Sequence, residues 1–347
     1  MKKEEIIYQT VRKILHIRLD RLGDVILSTP LLRALYDNWK DKEVHALVTP
    51  YTREVLEECP YVSEIKVFSN KWSIGERLSF LNHLKKEEYD LVIAHSPTSF
   101  SYFTAFFTKA QHRIGYVYEE RPIVAKLVKM ALTDPIMLDI RSRLAAGEKI
   151  PHEVEQGLMI AEKLGLKIKS RDLYLKPTDK DFKHVDKMME KWFWTNKKIF
   201  GIHLSNKWLA LGWEVKHFHR LVNEIQRKWK GSYVLFTYGS YEIDIGREIH
   251  DYYKNKTTVH AVWDLSIKQW AAMLKKCTFL ITTDTGAVHV AASQKVPVIV
   301  IYHPDNYELN SRQWAPWRVK NKKLVQKSPV QLINEIVNTI SELEHMY

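Results

Sequence analysis

The 347-residue sequence predicts an α/β protein built of two Rossmann-like, doubly wound domains facing a central cleft. Apolar, strand-like runs alternate with helical stretches, the order that builds parallel sheets. That alternation is interrupted by a polar, lysine-rich segment, Gly165–Pro177, and then restarts. The chain is also long for a single core, so two domains are the default. The expected division is an N-terminal domain at 1–170, a second at 171–325, and a C-terminal helix at 326–347.

The elements follow in order. Lys13–Leu19 reads as a buried strand, because strands covered on both faces are apolar almost throughout. A helix from Val25 to Trp39 and a strand at Val44–Thr49 come next. Strands at Glu64–Phe68 and Asp90–His95 bracket a helix at Ile74–Lys86. The aromatic run Phe100–Phe107 suits a helix packed on the sheet; exposed, it would meet acyl chains or a membrane. A long helix from Asp139 to Leu164 stops at Gly165, a C-terminal signal. The second series has strands at Lys198–His203, Ser232–Thr237, Thr257–His260, Cys277–Thr283 and Val296–Ile301, with a helix at Glu214–Trp229. The closing amphipathic helix, Val330–Leu343, has the option of crossing back onto the first domain.

Bulk properties narrow the function. Hydrophobic residues make up 45% of the chain, enough for a folded core. Cys59 and Cys277 lie far apart, so a disulfide framework or zinc site is not expected, and a reducing compartment fits. The N-terminus carries acids and lacks a signal-type apolar core, and no run is long enough to span a bilayer. The expected location is cytoplasmic. The formal net charge of +12 points to an anionic partner: nucleic acid, anionic membrane or phosphorylated substrate. Eleven Trp lean towards sugar or membrane contact.

Four turns follow strands at the end where open α/β sheets bind ligands. In Phe279–Ala292, the turn Asp284-Thr285-Gly286 leads into a small-residue helix whose first N–H groups form an anion seat. His289 lies about one turn in. The same residues equally suit an ordinary helix N-cap. In Arg18–Asp24, Gly23 allows a tight turn and Asp24 sits at the helix start, where it can act as a general base or as a cap. Arg18 and Arg21 can hold anionic groups, or one of them can pair with Asp20. In Gly201–Trp213, Ser205, Asn206 and Lys207 offer donors and a cation suited to a diphosphate. After the next strand, Gly239 permits close backbone approach, and Glu242 can take ribose or sugar hydroxyls or serve as a helix-start acid. Asp179-Lys-Asp181 has a metal-diphosphate spacing but opens a helix after Pro177-Thr178, so it reads as capping. The dinucleotide glycine fingerprint, Walker loop and nucleophile elbow are all missing.

Four ordered stretches carry a family resemblance: Ile14–Pro30, His112–Tyr116, Pro151–Glu155 and Thr283–Ala292. Over nearly its full length the chain resembles glycosyltransferase family 9, the lipopolysaccharide heptosyltransferases. The resemblance implies a GT-B, metal-independent, inverting enzyme. It would transfer heptose from an ADP-activated donor to the Kdo or heptose of an inner core. By the same resemblance Asp24 is the general base, and Asp284, Thr285, Gly286 and His289 form the donor-binding turn. Arg113, with Arg18, Arg21 and Gly23, is implied on the acceptor side. Two departures stand out. The family lysine and proline of the second-domain loop fall on Leu211 and Glu214, leaving Lys207 as the substitute, and the turn after Val300 reads Ile-Tyr-His-Pro-Asp-Asn.

The expectation is a heptosyltransferase that uses no cofactor or metal and acts on an anionic lipopolysaccharide precursor. Peripheral contact with the inner face of an anionic membrane follows from that acceptor. Another nucleotide-activated sugar and glycan is the alternative within the class. A basic nucleic-acid-binding protein is the alternative outside it, disfavoured by dispersed charge and the lack of a binding module.

Overall fold

Two six-stranded sheets organise the chain, in a computed structural model that describes residues 8, 10–119, 122–239 and 243–344. The first half runs β1 (Lys13–Ile17), α1 (Leu22–Asn38), β2 (Glu43–Val48), β3 (Glu64–Val67), α2 (Ile74–Lys86), β4 (Leu91–Ala94) and α3 (Ser99–Phe107). It continues with β5 (His112–Tyr118), α4 (Pro122–Ala131), β6 (Asp134–Leu138), α5 (Ile140–Ala145) and α6 (Glu153–Lys163). The second half runs α7 (Asp179–Lys191), β7 (Ile199–His203), α8 (Asn206–Ala210), α9 (Val215–Lys228), β8 (Tyr233–Thr237), α10 (Ile243–Tyr253) and β9 (Val259–Val262). It closes with α11 (Ile267–Leu274), β10 (Phe279–Thr283), α12 (Gly286–Ser293), β11 (Val298–Tyr302), α13 (Tyr307–Gln313), β12 (Asn321–Val325) and α14 (Pro329–Glu344).

The strand orders are β3-β2-β1-β4-β5-β6 and β12-β11-β10-β7-β8-β9, with neighbours parallel. Numbered within its own half, each sheet is 3-2-1-4-5-6, the doubly wound Rossmann order. The winding reverses between β1 and β4 in one sheet and between β7 and β10 in the other. Ligand sites belong outside the carboxyl ends of those two strand pairs. The chain divides into two compact units at Tyr174/Leu175, inside the Gly165–Pro177 segment.

Central strands are apolar throughout because both faces are covered: every residue of β4 and β11 is buried. Three strands escaped the sequence reading. β5 is interrupted by Gly115, where a Cβ would lie 3.0 Å from the Ala94 carbonyl oxygen. β6 opens with Asp134-Pro135 and β12 with Asn321-Lys322-Lys323, polar starts that edge strands tolerate.

The long helix expected from Asp139 to Leu164 is two helices. Gly147 adopts φ +74° and Pro151 follows, and His152 then caps α6 by accepting the Val154 N–H at 3.1 Å. Pro30, inside α1, leaves the Ile26 carbonyl without its helical donor; the Thr29 hydroxyl donates to it at 2.6 Å instead. Asp181 is spent on the α7 cap, accepting from the Thr178 N–H at 2.8 Å and its hydroxyl at 2.7 Å. Helix α14 packs its apolar stripe on its own unit. Leu332, Ile333, Ile336, Ile340 and Leu343 are buried in the second unit's own core with Phe200 and Phe218.

Candidate active site

In the first unit everything at the exit of β1 is arranged around Arg18. Its guanidinium is almost fully buried (1% exposed). Nη2 donates to Glu153 Oε1 at 2.6 Å, Nη1 to the His95 carbonyl at 2.9 Å, and Nε to the Asp24 carbonyl at 3.2 Å. The carboxylates of Asp20 and Asp24 stand 3.4 and 3.5 Å away. Burial works against the arginine's charge, but Glu153, Asp24 and Asp20 outweigh it and hold the group above the usual arginine range. The Arg18 donors are thus committed to groups inside the domain.

Asp24 occupies the first turn of α1. Its Oδ2 accepts the Arg21 N–H at 3.2 Å, so the capping role and the site role coincide in one side chain. Burial raises its pKa, Arg18 opposes the rise, and Glu153 adds to it. About one fifth of the side chain (21%) stays exposed, so the carboxylate is reachable and holds its proton more tightly than an ordinary aspartate. That is the condition of a general base. Arg21 is exposed at the N-cap and remains available to an anionic ligand. Gly23 is buried in the first helical turn, so the sharp turn is made before it.

Arg113 belongs elsewhere. It is the second residue of β5, at the amino edge of a parallel sheet, and its guanidinium donates to the Ala110 and Ala131 carbonyls at 2.6 and 2.8 Å. Asp24 lies at the carboxyl edge, so Arg113 does not join this site.

In the second unit the exits of β7 and β10 converge, since Thr282 pairs with His203. The Lys207 ammonium contacts the Asp284 carbonyl oxygen and lies 3.2 Å from its carboxylate. Asn310, from α13, donates to the same carboxylate at 2.8 Å. Ser205 and Thr283 share a hydroxyl hydrogen bond at 2.7 Å. Asp284 is thus held by two partners instead of capping α12. Thr285, extended at the N-cap, makes no side-chain cap bond, and Gly286 is the first helical residue. The helix start carries the positive end of its dipole beside Lys207, an arrangement suited to a diphosphate. Asn206 opens α8 next to Lys207, and His289 is buried within α12. Leu211 is buried, so Lys207 is the cation this loop brings to the turn. Gly239 follows Tyr238 at the exit of β8; Glu242 lies outside the described residues.

The sequence model of the family described as Glycosyltransferase family 9 (heptosyltransferase) matches residues 77–334. The chain belongs to glycosyltransferase family 9. This glycosyltransferase is 22% identical over 311 residues to lipopolysaccharide heptosyltransferase 3 of Escherichia coli K12, covering 85% of its own length and 82% of the relative's. A family 9 glycosyltransferase structure from Veillonella parvula superposes with a TM-score of 0.75 at 20% identity, covering 94% of this chain and 89% of that one. The E. coli ADP-heptose LPS heptosyltransferase II gives 0.72 at 18% identity, covering 96% and 99%. The fold is the GT-B type, with two Rossmann-like domains.

Three residues of the candidate site are not legible in the sequence: Glu153, His95 and Asn310. Asp24 and Asp284 announce themselves because strand, turn and helix start are contiguous. Glu153 meets Arg18 across 135 residues and Asn310 meets Asp284 across 26, separations that one sequence does not bridge.

Proposed function

We propose that the enzyme moves heptose from ADP-heptose to the Kdo or heptose of a lipopolysaccharide inner-core precursor, with inversion and without a metal ion. The observation that carries the reading is the largely buried but reachable Asp24 carboxylate at the switch point of the first sheet, with its proton affinity raised. As general base, Asp24 takes the proton of the acceptor hydroxyl. The oxygen bonds to the anomeric carbon as the bond to the donor diphosphate oxygen breaks, and ADP departs. Negative charge grows on that diphosphate. Lys207 and the start of α12 face it with a fixed cation and dipole, the preorganised stabilisation such a step needs. Arg21 meets the anionic acceptor. The names of the relatives, lipopolysaccharide heptosyltransferase and ADP-heptose heptosyltransferase, support this choice of donor and acceptor.

A second reading keeps the chemistry and changes the sugar or nucleotide. It is favoured by Leu211 at the family lysine position and by the His303–Asn306 turn, where His303 Nδ1 accepts the Asp305 N–H at 3.2 Å.

The test measures ADP release from ADP-heptose with and without a Kdo-bearing lipid A acceptor, with mass analysis of the acceptor. Acceptor-dependent release with one added heptose supports the proposal; release that adds no heptose, or none from a folded sample, overturns the donor and acceptor assignment. Asp24→Asn is expected to cut turnover by at least about a hundredfold, as loss of a general base does, with ADP affinity and thermal midpoint nearly unchanged. Turnover within a few fold of wild type would leave Asp24 as a helix cap only. Transfer that persists in excess chelator is the expected mark of metal independence.

A further inference from the structure

One face of the first sheet is covered by α2, α3 and α4, packed in succession. Helix α4 is amphipathic in an unusual sense. It turns its smaller apolar residues inward, Ala125 and Val128 (8% and 7% exposed), and its larger ones outward. Ile123, Leu127 and Met130 are 80%, 63% and 70% exposed, and Val124 stands beside them. On neighbouring α3, Tyr102 and Ala105 enter the core while Phe103 and Phe106 project out. Six large apolar side chains on two neighbouring helices thus face outward, more than scattered exposure on a soluble monomer accounts for.

The charges that α3 and α4 themselves carry are of one sign. Neither α3 nor α4 contains an acidic residue, while Lys126 and Lys129 are exposed among the apolar side chains. Beyond the end of α3, a hollow of about 250 Å³ is lined by Phe106 and Phe107 together with Lys85, Lys109 and Arg113. Aromatic walls with three cations and no carboxylate suit a phosphate-bearing headgroup with an apolar tail. Helix α4 also begins where β5 ends, at the carboxyl edge of the sheet that carries Asp24.

We propose that the outward face of α3 and α4 docks this enzyme on a bilayer containing anionic phospholipid, so that a lipid-anchored acceptor reaches Asp24 from the membrane plane. The inference rests on the reading of the acceptor as lipid-linked. Apolar side chains enter the headgroup boundary, and the interleaved lysines extend to the lipid phosphates, the division of labour of an interfacial amphipathic helix.

The test is co-sedimentation of the full chain with vesicles of phosphatidylcholine alone and of phosphatidylcholine with about a quarter phosphatidylglycerol. Wild type is expected to bind the anionic vesicles and to leave the neutral ones largely unbound. Two double variants, Leu127→Ser with Met130→Ser and Lys126→Glu with Lys129→Glu, are each expected to lose about tenfold or more in vesicle partition. Both should keep the thermal midpoint and the rate on a deacylated, water-soluble acceptor, and should lose rate on the acceptor embedded in vesicles. Wild-type partition in both variants overturns the proposal, as does indifference of the wild type to anionic vesicles. A wild-type dimer that Leu127→Ser with Met130→Ser dissociates would assign the face to a second copy and likewise overturn it. Failure of the transferase reading is separately visible, as no turnover on the soluble acceptor with vesicle binding intact.

Discussion

Asp24 and Glu153 compete for one buried arginine, and that competition sets how the base behaves. The groups around the Asp24 carboxylate are Arg18 just after β1, Asp20 and Arg21 from the same turn, and Glu153 from α6. Glu153 takes the short contact to Arg18, at 2.6 Å against 3.5 Å for Asp24, and its negative charge disfavours a second carboxylate nearby. Glu153→Gln removes that repulsion and frees Arg18 to favour ionised Asp24. The acid limb of the pH profile for kcat/KM is then expected to move to lower pH, with ADP affinity unchanged. A limb that stays put or moves up would mean that Glu153 only braces Arg18. In the second unit, Lys207→Met is expected to weaken ADP binding about tenfold by removing a charge-assisted contact, which calorimetry reads directly. What was legible at this scale was local. Asp24, Lys207 and Asp284 lie where strand, turn and helix start are contiguous, whereas the committed state of Arg18 depends on Glu153, which the sequence alone does not bring near.

At the scale of elements, continuous apolar runs were the reliable signal. β1, β4, β10 and β11 were read within a residue or two because a strand buried on both faces has no polar alternation to confuse it. β5, β6 and β12 were missed because Gly115, Pro135 and Lys322-Lys323 interrupt the pattern, each for a reason of the sheet itself: close approach to β4, or an edge position. A comparable close approach at Gly246 gives a prediction against propensity. In a helix, Gly to Ala usually stabilises by up to about 1 kcal/mol. In α10, however, a Cβ at 246 would lie 2.2 Å from the buried Tyr238 ring, which stacks on Trp263 at 5.4 Å. Overpacking wins, so Gly246→Ala is expected to destabilise by about 1–3 kcal/mol in urea unfolding and to disturb the neighbouring Gly239 turn. A stabilised variant would show that Tyr238 is free to swing aside.

For the molecule as a whole, the same strand order in both units was legible in outline, since the alternation runs twice; the buried polar interior was not. His16 and His95 share a hydrogen bond at 3.0 Å in the first unit, and His203 meets Thr237 at 3.0 Å in the second. Burial holds all three neutral: it pushes His16 down to about 3 and His203 to about 4, and His95 well below the usual histidine range. Their unfolded pKa lies near 6.5. Above that value these histidines are neutral in both states, and their stabilising contribution is complete. As pH falls below it, the unfolded chain binds protons that the folded one refuses, so stability declines by up to about 1.4 kcal/mol per pH unit for each histidine. Asp20 and Asp24 act in the opposite sense, because raised carboxylate pKa values make the folded state the better proton acceptor at lower pH. The histidine contribution is complete above about pH 6.5 and is lost as pH falls below it, while the raised carboxylates offset part of that loss. Urea unfolding at pH 7.5 and 5.5 should show both units losing stability. Replacing His16 and His95 together by Leu leaves no unpaired partner and should flatten the decline in the first unit only. A decline of equal steepness in that variant would place the acid sensitivity in other groups and leave the histidine pair as ordinary core.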